Sequence, residues 1–224
     1  MKDTRQRLLE SACKVFADKG FHDANVAEIC EGAEANIASI NYHFGGKQRL
    51  YEEVLTYTAA VAEQEYPLVA DGSMAPTAEG RLAWFIRSQF LRGRSAGLAS
   101  CFDQIVVHEI TNPSPSHAMV FGKILRQRRD YLLEVVRALL PPGASEGHVQ
   151  VCAHNIVGLF AFSHFHRFHS RRPEKHKRPP LPPPEVMAHH ATVFALGGIE
   201  AIAKLPAIEH PPFRPTPEGE GERP

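Results

Sequence analysis

No stretch of this sequence stays apolar for the roughly 18 residues that a membrane-spanning helix needs, so no transmembrane segment is expected. Neither sign of charge dominates: 25 Lys and Arg balance 25 Asp and Glu. Bulk electrostatics therefore give no reason to expect a nucleic-acid or membrane partner. Cysteine is scarce. Cys13, Cys30, Cys101 and Cys152 stand far apart in apolar surroundings without a Cys-x-x-Cys pair. Neither a zinc knuckle nor a redox pair is expected, only buried free thiols. Also missing are a glycine-rich phosphate loop, a Gly-x-Ser-x-Gly nucleophile elbow and the His-Asp doublets of all-helical phosphohydrolases. The chain is accordingly not expected to be an enzyme, and no cofactor is expected. The start, Met1-Lys2-Asp3-Thr4-Arg5, leads directly into an amphipathic pattern rather than a secretory leader, so a cytoplasmic location is expected.

What the sequence does contain is helical periodicity. Asp3 with Gln6 reads as a capping box, followed by Leu8, Leu9, Ala12, Val15 and Phe16 on one apolar face and Gly20 as a stop. Asn25 with Glu28 opens a second helix that ends near Gly32, and Asn36 caps a third from Ile37 to about His43. Gly45-Gly46 breaks the chain, and Lys47 begins a fourth helix reaching about Tyr66. Asp71-Gly72-Ser73 reads as a loop. Further helices are expected from Thr77 to Leu91 and over the run Phe102 to Ile110. A long one capped by Ser116 runs to Leu139, another covers Ser145 to about His169, and the last runs from Glu185 to Lys204. The fold class is all-α with about nine helices: residues 1–55 form a first domain, 56–205 a second and 206–224 a disordered tail lacking an apolar pattern.

Two short helices joined by a tight turn and braced by a longer one are the minimum unit that offers a helix to the DNA major groove. The third helix supplies small polar groups, Asn36, Ser39 and Asn41, and an amide matches the adenine N6/N7 edge. This unit is not basic. Before residue 56 it carries seven Lys and Arg against nine Asp and Glu, so DNA contact must come from locally placed groups.

The run Arg5 to Leu55 resembles the N-terminal domain of the tetracycline-repressor (TetR) family, above all in Ile40-Asn41-Tyr42-His43-Phe44-Gly45-Gly46-Lys47 with Leu50-Tyr51 behind it. The resemblance implies that Tyr42 and Lys47 touch phosphates, that the helix from Asn36 to His43 reads bases, and that Phe44 is a wedge beneath it. The expected DNA-contacting set is Asn25, Asn36, Ile37, Ser39, Asn41, Tyr42, His43 and Lys47. One departure stands out. Where the family usually has glycine in the turn between the two short helices, this chain has Glu34. A positive φ there costs roughly 1 kcal/mol relative to glycine, and a carboxylate repels phosphate.

The resemblance further implies a small-molecule site and a homodimer interface in the second domain, the interface built from its last two long helices. His108-Glu109-Ile110-Thr111-Asn112-Pro113-Ser114-Pro115 is similar to the C-terminal domain of CecR-type regulators, which implies control of drug tolerance or efflux genes. The expected function is a ligand-released repressor binding a palindromic double-stranded operator as a homodimer. Candidate pocket residues are polar groups within apolar helices, His108, Glu109, His154 and Asn155, with Phe85, Phe102 and Phe121 as walls. The alternative for each is ordinary packing or an interface.

Histidine offers a second reading. His166 and His169 share a helical face, whereas His164 is turned by about 200° from His166, so a regular helix does not bring all three to one ion. A metal-responsive regulator of the same fold would need ligands from elsewhere, and no metal site is assigned. Arg171, Arg172, Lys175, Lys177 and Arg178 read as a solvated loop. An all-helical enzyme and an architectural DNA-binding protein without a cavity are the rivals from other classes.

Overall fold

A computed structural model describes residues 3–69, 76–170 and 181–207, leaving aside the side chains of 162–170. The expected loop at Asp71-Gly72-Ser73, the side chains of His164, His166 and His169, the basic run after residue 170 and nearly all of the tail lie outside the described residues. The helices are α1 (Thr4–Asp23), α2 (Val26–Gly32), α3 (Ile37–Phe44), α4 (Lys47–Glu65), α5 (Ala78–Arg94) and α6 (Ala99–Thr111), followed by α7 (His117–Met119), α8 (Arg126–Leu139), α9 (Glu146–Ser170) and α10 (Pro184–Ile202). A π-turn, Val120–Ile124, joins α7 to α8. Taken as one distorted helix, α7, the π-turn and α8 bring the total among the described residues to nine, all helical.

Local chemistry explains most helix starts, with three corrections. Asp3 makes no side-chain cap; its supposed partner Gln6 instead donates to Glu10 and to Tyr57 Oη. Asn25 does cap α2 through Ala27 N at 2.9 Å, but Glu28 turns away to pair with Lys19 and ties α2 to α1. Ser116 does not cap a long helix, because its hydroxyl donates to Glu52 on α4. The expected cap at Asn36 forms, and Thr77 caps α5 as well, each accepting from a backbone N–H three residues on. Such a cap is worth about 1 kcal/mol.

Gly20 interrupts α1 with φ 72° and ψ −176°, after which a last turn continues to Asp23. Its missing Cβ matters, since a Cβ there would lie 2.8 Å from Nδ1 of His108. Glycine is thus what lets α6 lie against α1.

Two hydrophobic cores follow. The first joins Leu8, Phe16, Ile40, Phe44, Leu50, Tyr51 and Val54 of α1–α4 with Cys101 and Ile105 of α6 and with Val120. The second packs Leu82, Phe85 and Ile86 of α5 with Val135 of α8, Ile156 of α9 and Ala191 of α10. Helix α4 runs unbroken across the expected boundary at residue 55, and a small cluster of Ala62, Ala99 and Phe102 fills the junction. All four cysteines are buried and unbridged, and burial pushes the Cys13 thiol well up.

Candidate nucleic-acid interface and ligand cavity

Helix α2 closes with a paired hydrogen-bond motif: Ala35 N donates to Cys30 O at 3.0 Å and Glu34 N to Glu31 O at 3.1 Å. This arrangement places a left-handed residue at the position after the cap. Glu34 occupies it with φ 50°, and among the described residues it is the one non-glycine with positive φ. Glu34→Gly is expected to raise stability by about 1 kcal/mol, seen as a melting temperature higher by roughly 2–4 °C. An unchanged or lower melting temperature would show that the turn carries no strain.

Helix α3 buries Ile40 and Phe44 and turns its other side outward. Asn36, Ile37, Ala38, Asn41 and Tyr42 are exposed, Tyr42 to 85%. Behind them Gly45 (φ 75°) and Gly46 (φ 124°) make the sharp turn into α4. The donor and acceptor inventory of this face is uneven. Asn36 Oδ1 already accepts from Ser39 N and Ser39 Oγ, both at 3.0 Å, so Asn36 keeps only its NH2 for a base edge. Bidentate pairing with adenine needs both the carbonyl and the amino group. Asn41 has no side-chain hydrogen bond among the described residues, so both its amide groups face outward unspent. His43 stacks edge-on against Tyr42 at 4.9 Å.

The cations of this unit are mostly committed. Arg5 pairs with Glu53 and lies over Phe44, 5.0 Å from the ring centroid. Arg7 donates to Ala33 O at the end of α2. Lys47 Nζ donates to His22 O at 3.3 Å and sits 4.9 Å from the Phe21 ring centroid. Burial pulls its pKa down, with Asp23 opposing. Arg49 is exposed beside Gly45; the sequence expectations omitted it, because nothing in the pattern separates it from a solvated helix cation.

The second site is a cavity of about 710 Å³ lined by α5, α6, α8, α9 and the π-turn. It falls within the size range of small-molecule pockets. Of the expected wall residues, Phe85, Phe102, Phe121 and His154 line it. Within the π-turn Val120 is buried in the first core and Phe121 reaches the cavity; Leu125 N closes the turn by donating to Val120 O at 2.9 Å. Asn155 does not line the cavity and is exposed on α9. The sequence expectations missed the polar wall. Arg92 Nε and Nη2 donate to the two Asp103 oxygens at 2.8 and 2.7 Å, and Nη2 also reaches Gln89 Oε1.

His108 and Glu109 also lie off the cavity wall, on the side of α6 that faces the first four helices. The His108 ring packs on Gly20; burial pulls its pKa down, against the carbonyls of Asp18 and Ala17 and the carboxylates of Asp18 and Asp23. Glu109 is 1% exposed and accepts a 2.5 Å hydrogen bond from Tyr51 Oη and a 3.2 Å bond from Ser114 N. His117 Nδ1 is 3.4 Å away. Burial and the Glu109 contact push the Tyr51 phenol well up. His22 Nε2 meets Pro113 O at 2.9 Å across the same junction. One helix therefore forms the cavity wall on one side and grips the first four helices on the other.

Comparison with known proteins agrees with this layout. Residues 8–54 match the family described as bacterial regulatory proteins, tetR family. Residues 78–199 match the C-terminal domain of the HTH-type transcriptional dual regulator CecR. The chain is 40% identical over 53 residues to the probable HTH-type transcriptional regulator YttP of Bacillus subtilis, covering 24% of this chain and 26% of that protein. It is 33% identical over 90 residues to the HTH-type transcriptional repressor NicS of Pseudomonas putida, covering 40% and 42%. These matches span a quarter to less than half of those relatives. Two solved structures share the fold across nearly their whole length. A transcriptional regulator from Rhodococcus aligns with TM-score 0.67 at 19% identity, covering 91% of this chain and 100% of that one. AibR, determined with isovaleryl coenzyme A and operator DNA, aligns with TM-score 0.63 at 18% identity, covering 86% and 97%.

Proposed function

The chain belongs to the TetR family of transcriptional regulators, a helix-turn-helix unit followed by a CecR-type helical domain, and on that premise we propose that it is a homodimeric repressor released from a palindromic operator by a small molecule. The observation that carries the release step is the double duty of α6. Phe102, Asp103, Val106 and Val107 line the cavity, while His108 and Glu109 hold α1 and α4. A ligand that shifts α6 by a fraction of an ångström moves the reading heads with it, provided it binds the two arrangements unequally. AibR, bound to both an acyl thioester and DNA, supports the coexistence of the two sites in this fold. The CecR-type likeness supports drug tolerance or efflux genes as targets. Genomic footprinting with and without candidate drugs tests both; footprints that no compound removes would count against ligand release.

The DNA contacts are Asn41 and Ile37 at base edges, Tyr42 and Lys47 at phosphates, and Asn25, Asn36, Ser39 and His43 around them. Tyr42→Ala and Lys47→Ala are each expected to weaken binding to all sequences alike and to lower the salt slope by about one phosphate contact. Fluorescence anisotropy over a salt series on a footprinted fragment measures this, and an unchanged slope removes the phosphate role.

The dimer rests on one surface. Val186, Val193 and Phe194 of α10 are 45%, 59% and 71% exposed, and Val151 of α9 is 37% exposed. Gly158 and Gly197 leave open space where a Cβ would stand, which suits close helix approach. Burying what these side chains still expose against a second copy stabilises by about 25 cal/mol per Å² of apolar surface. Light scattering at micromolar concentration is expected to give a dimeric mass for the native chain and a monomeric one for Phe194→Glu. A native monomer refutes the interface.

A further inference from the structure

We propose that the cavity takes an amphipathic organic anion, with its acidic head on Arg92 and Arg128 and its apolar body along Phe85, Phe121 and Leu132. The inference rests on the reading of this cavity as the effector site and adds the chemical class of the occupant.

The argument begins with a donor left over. Arg92 is 3% exposed, yet among the described residues its Nη1 has no hydrogen-bond partner. Nε and Nη2 are satisfied by Asp103 and Gln89. A buried guanidinium N–H without a partner is costly, and this residue lines the cavity, where an incoming oxygen can supply the missing bond. Arg128 adds a second cation. It also lines the cavity, its side chain is 12% exposed, and its one ion pair, with Glu63, spans 3.5 Å, longer than a good hydrogen bond. Both guanidiniums lie over Phe102, at 6.0 and 5.3 Å from the ring centroid. Asp103 is the one carboxylate among the described lining residues, and both of its oxygens are bound by Arg92.

Charge therefore decides the class. A cationic ligand would meet the guanidiniums of Arg92, Arg128 and Arg129 and a carboxylate already occupied. A neutral one would satisfy Nη1 but leave Arg128 with its loose partner. A carboxylate can accept from both arginines, and charge-assisted bonds of this kind are the stronger ones. Apart from Gln89, Arg129, Gln150 and His154, the rest of the wall is apolar, so the head must be carried on a largely apolar body.

Isothermal titration calorimetry of the full chain with decanoate, 1-decanol and decyltrimethylammonium tests the class with one body and three heads. Decanoate is expected to bind at least about tenfold more tightly than either of the others. Arg128→Met is expected to erase most of that preference while leaving decanol binding unchanged. Arg92→Met with Asp103→Leu, which removes the ion pair as a unit, is expected to erase the remainder. Equal binding of decanoate and decanol, a preference for the cationic head, no binding of any probe, or an Arg128→Met variant that keeps the preference overturns the anion class. Anisotropy on a footprinted DNA fragment separates this from the function proposed above. If decanoate binds with the expected preference but does not release DNA, the ligand class stands and the release mechanism fails.

Discussion

Arg92→Met alone is expected to lower the melting temperature by roughly 6–20 °C. Arg92 and Asp103 are 3% and 7% exposed, and two hydrogen bonds join them. Removing one member of a buried ion pair strips the other of its compensation and costs about 3–5 kcal/mol, or roughly 2–4 °C per kcal/mol for a chain of this length. Replacing both by apolar residues of similar size leaves no stranded charge, so Arg92→Met with Asp103→Leu is expected to recover most of the loss. A thermal melt of the two variants beside the native chain decides it. If the single substitution melts within a degree or two of native, the pair does not hold α5 against α6.

Glu109→Ala is the second large effect, expected to cost about 3–5 kcal/mol and to weaken operator binding together with stability. It removes a carboxylate that is 1% exposed and orphans two buried donors, Tyr51 Oη and Ser114 N, each costing about 1–3 kcal/mol when left unsatisfied. Tyr51→Phe leaves the carboxylate one bond short and is expected to cost about 1–3 kcal/mol. A double-mutant cycle of Tyr51→Phe with Glu109→Gln isolates the link, with a coupling of at least about 1 kcal/mol expected. Additive effects within experimental error would mean that α4 and α6 are held together by packing alone. The operator readout matters separately, since the Tyr51 hydroxyl belongs to the DNA-facing unit and the Glu109 carboxylate to the domain with the cavity.

The DNA-facing unit was largely legible in the sequence because its signals are local. Asn36 and Gly45 announce the ends of α3 within three residues of where they act, and Ile40 and Phe44 reveal the buried side by spacing alone. The positive φ at Glu34 could be anticipated through the family resemblance, since the family usually has glycine in that turn. The roles within α3 were less legible. Asn36 is marked as the cap by its place before the helix, but that the cap leaves it only its NH2 while Asn41 keeps both amide groups depends on rotamers.

The cavity divides the same way. Phe85, Phe102, Phe121 and His154 could be picked as aromatic or polar groups in apolar helices. His108 and Glu109 satisfied the same criterion and yet face the opposite side of α6, where they meet Gly20 and Tyr51. The π-turn at Val120–Ile124 shifts the phase of the helix, and a regular period carried from Ser116 to Leu139 does not register that shift.

The sequence by itself determined an all-α chain with a near-neutral helix-turn-helix head and a second helical domain, because helix periodicity, capping and turn chemistry act over a few residues. Only the tertiary structure decided that Arg92 keeps an unpartnered N–H at a cavity wall, and that Tyr51 meets Glu109 across 58 positions of chain. Such pairings depend on how helices far apart in sequence cross, and no local pattern encodes a crossing.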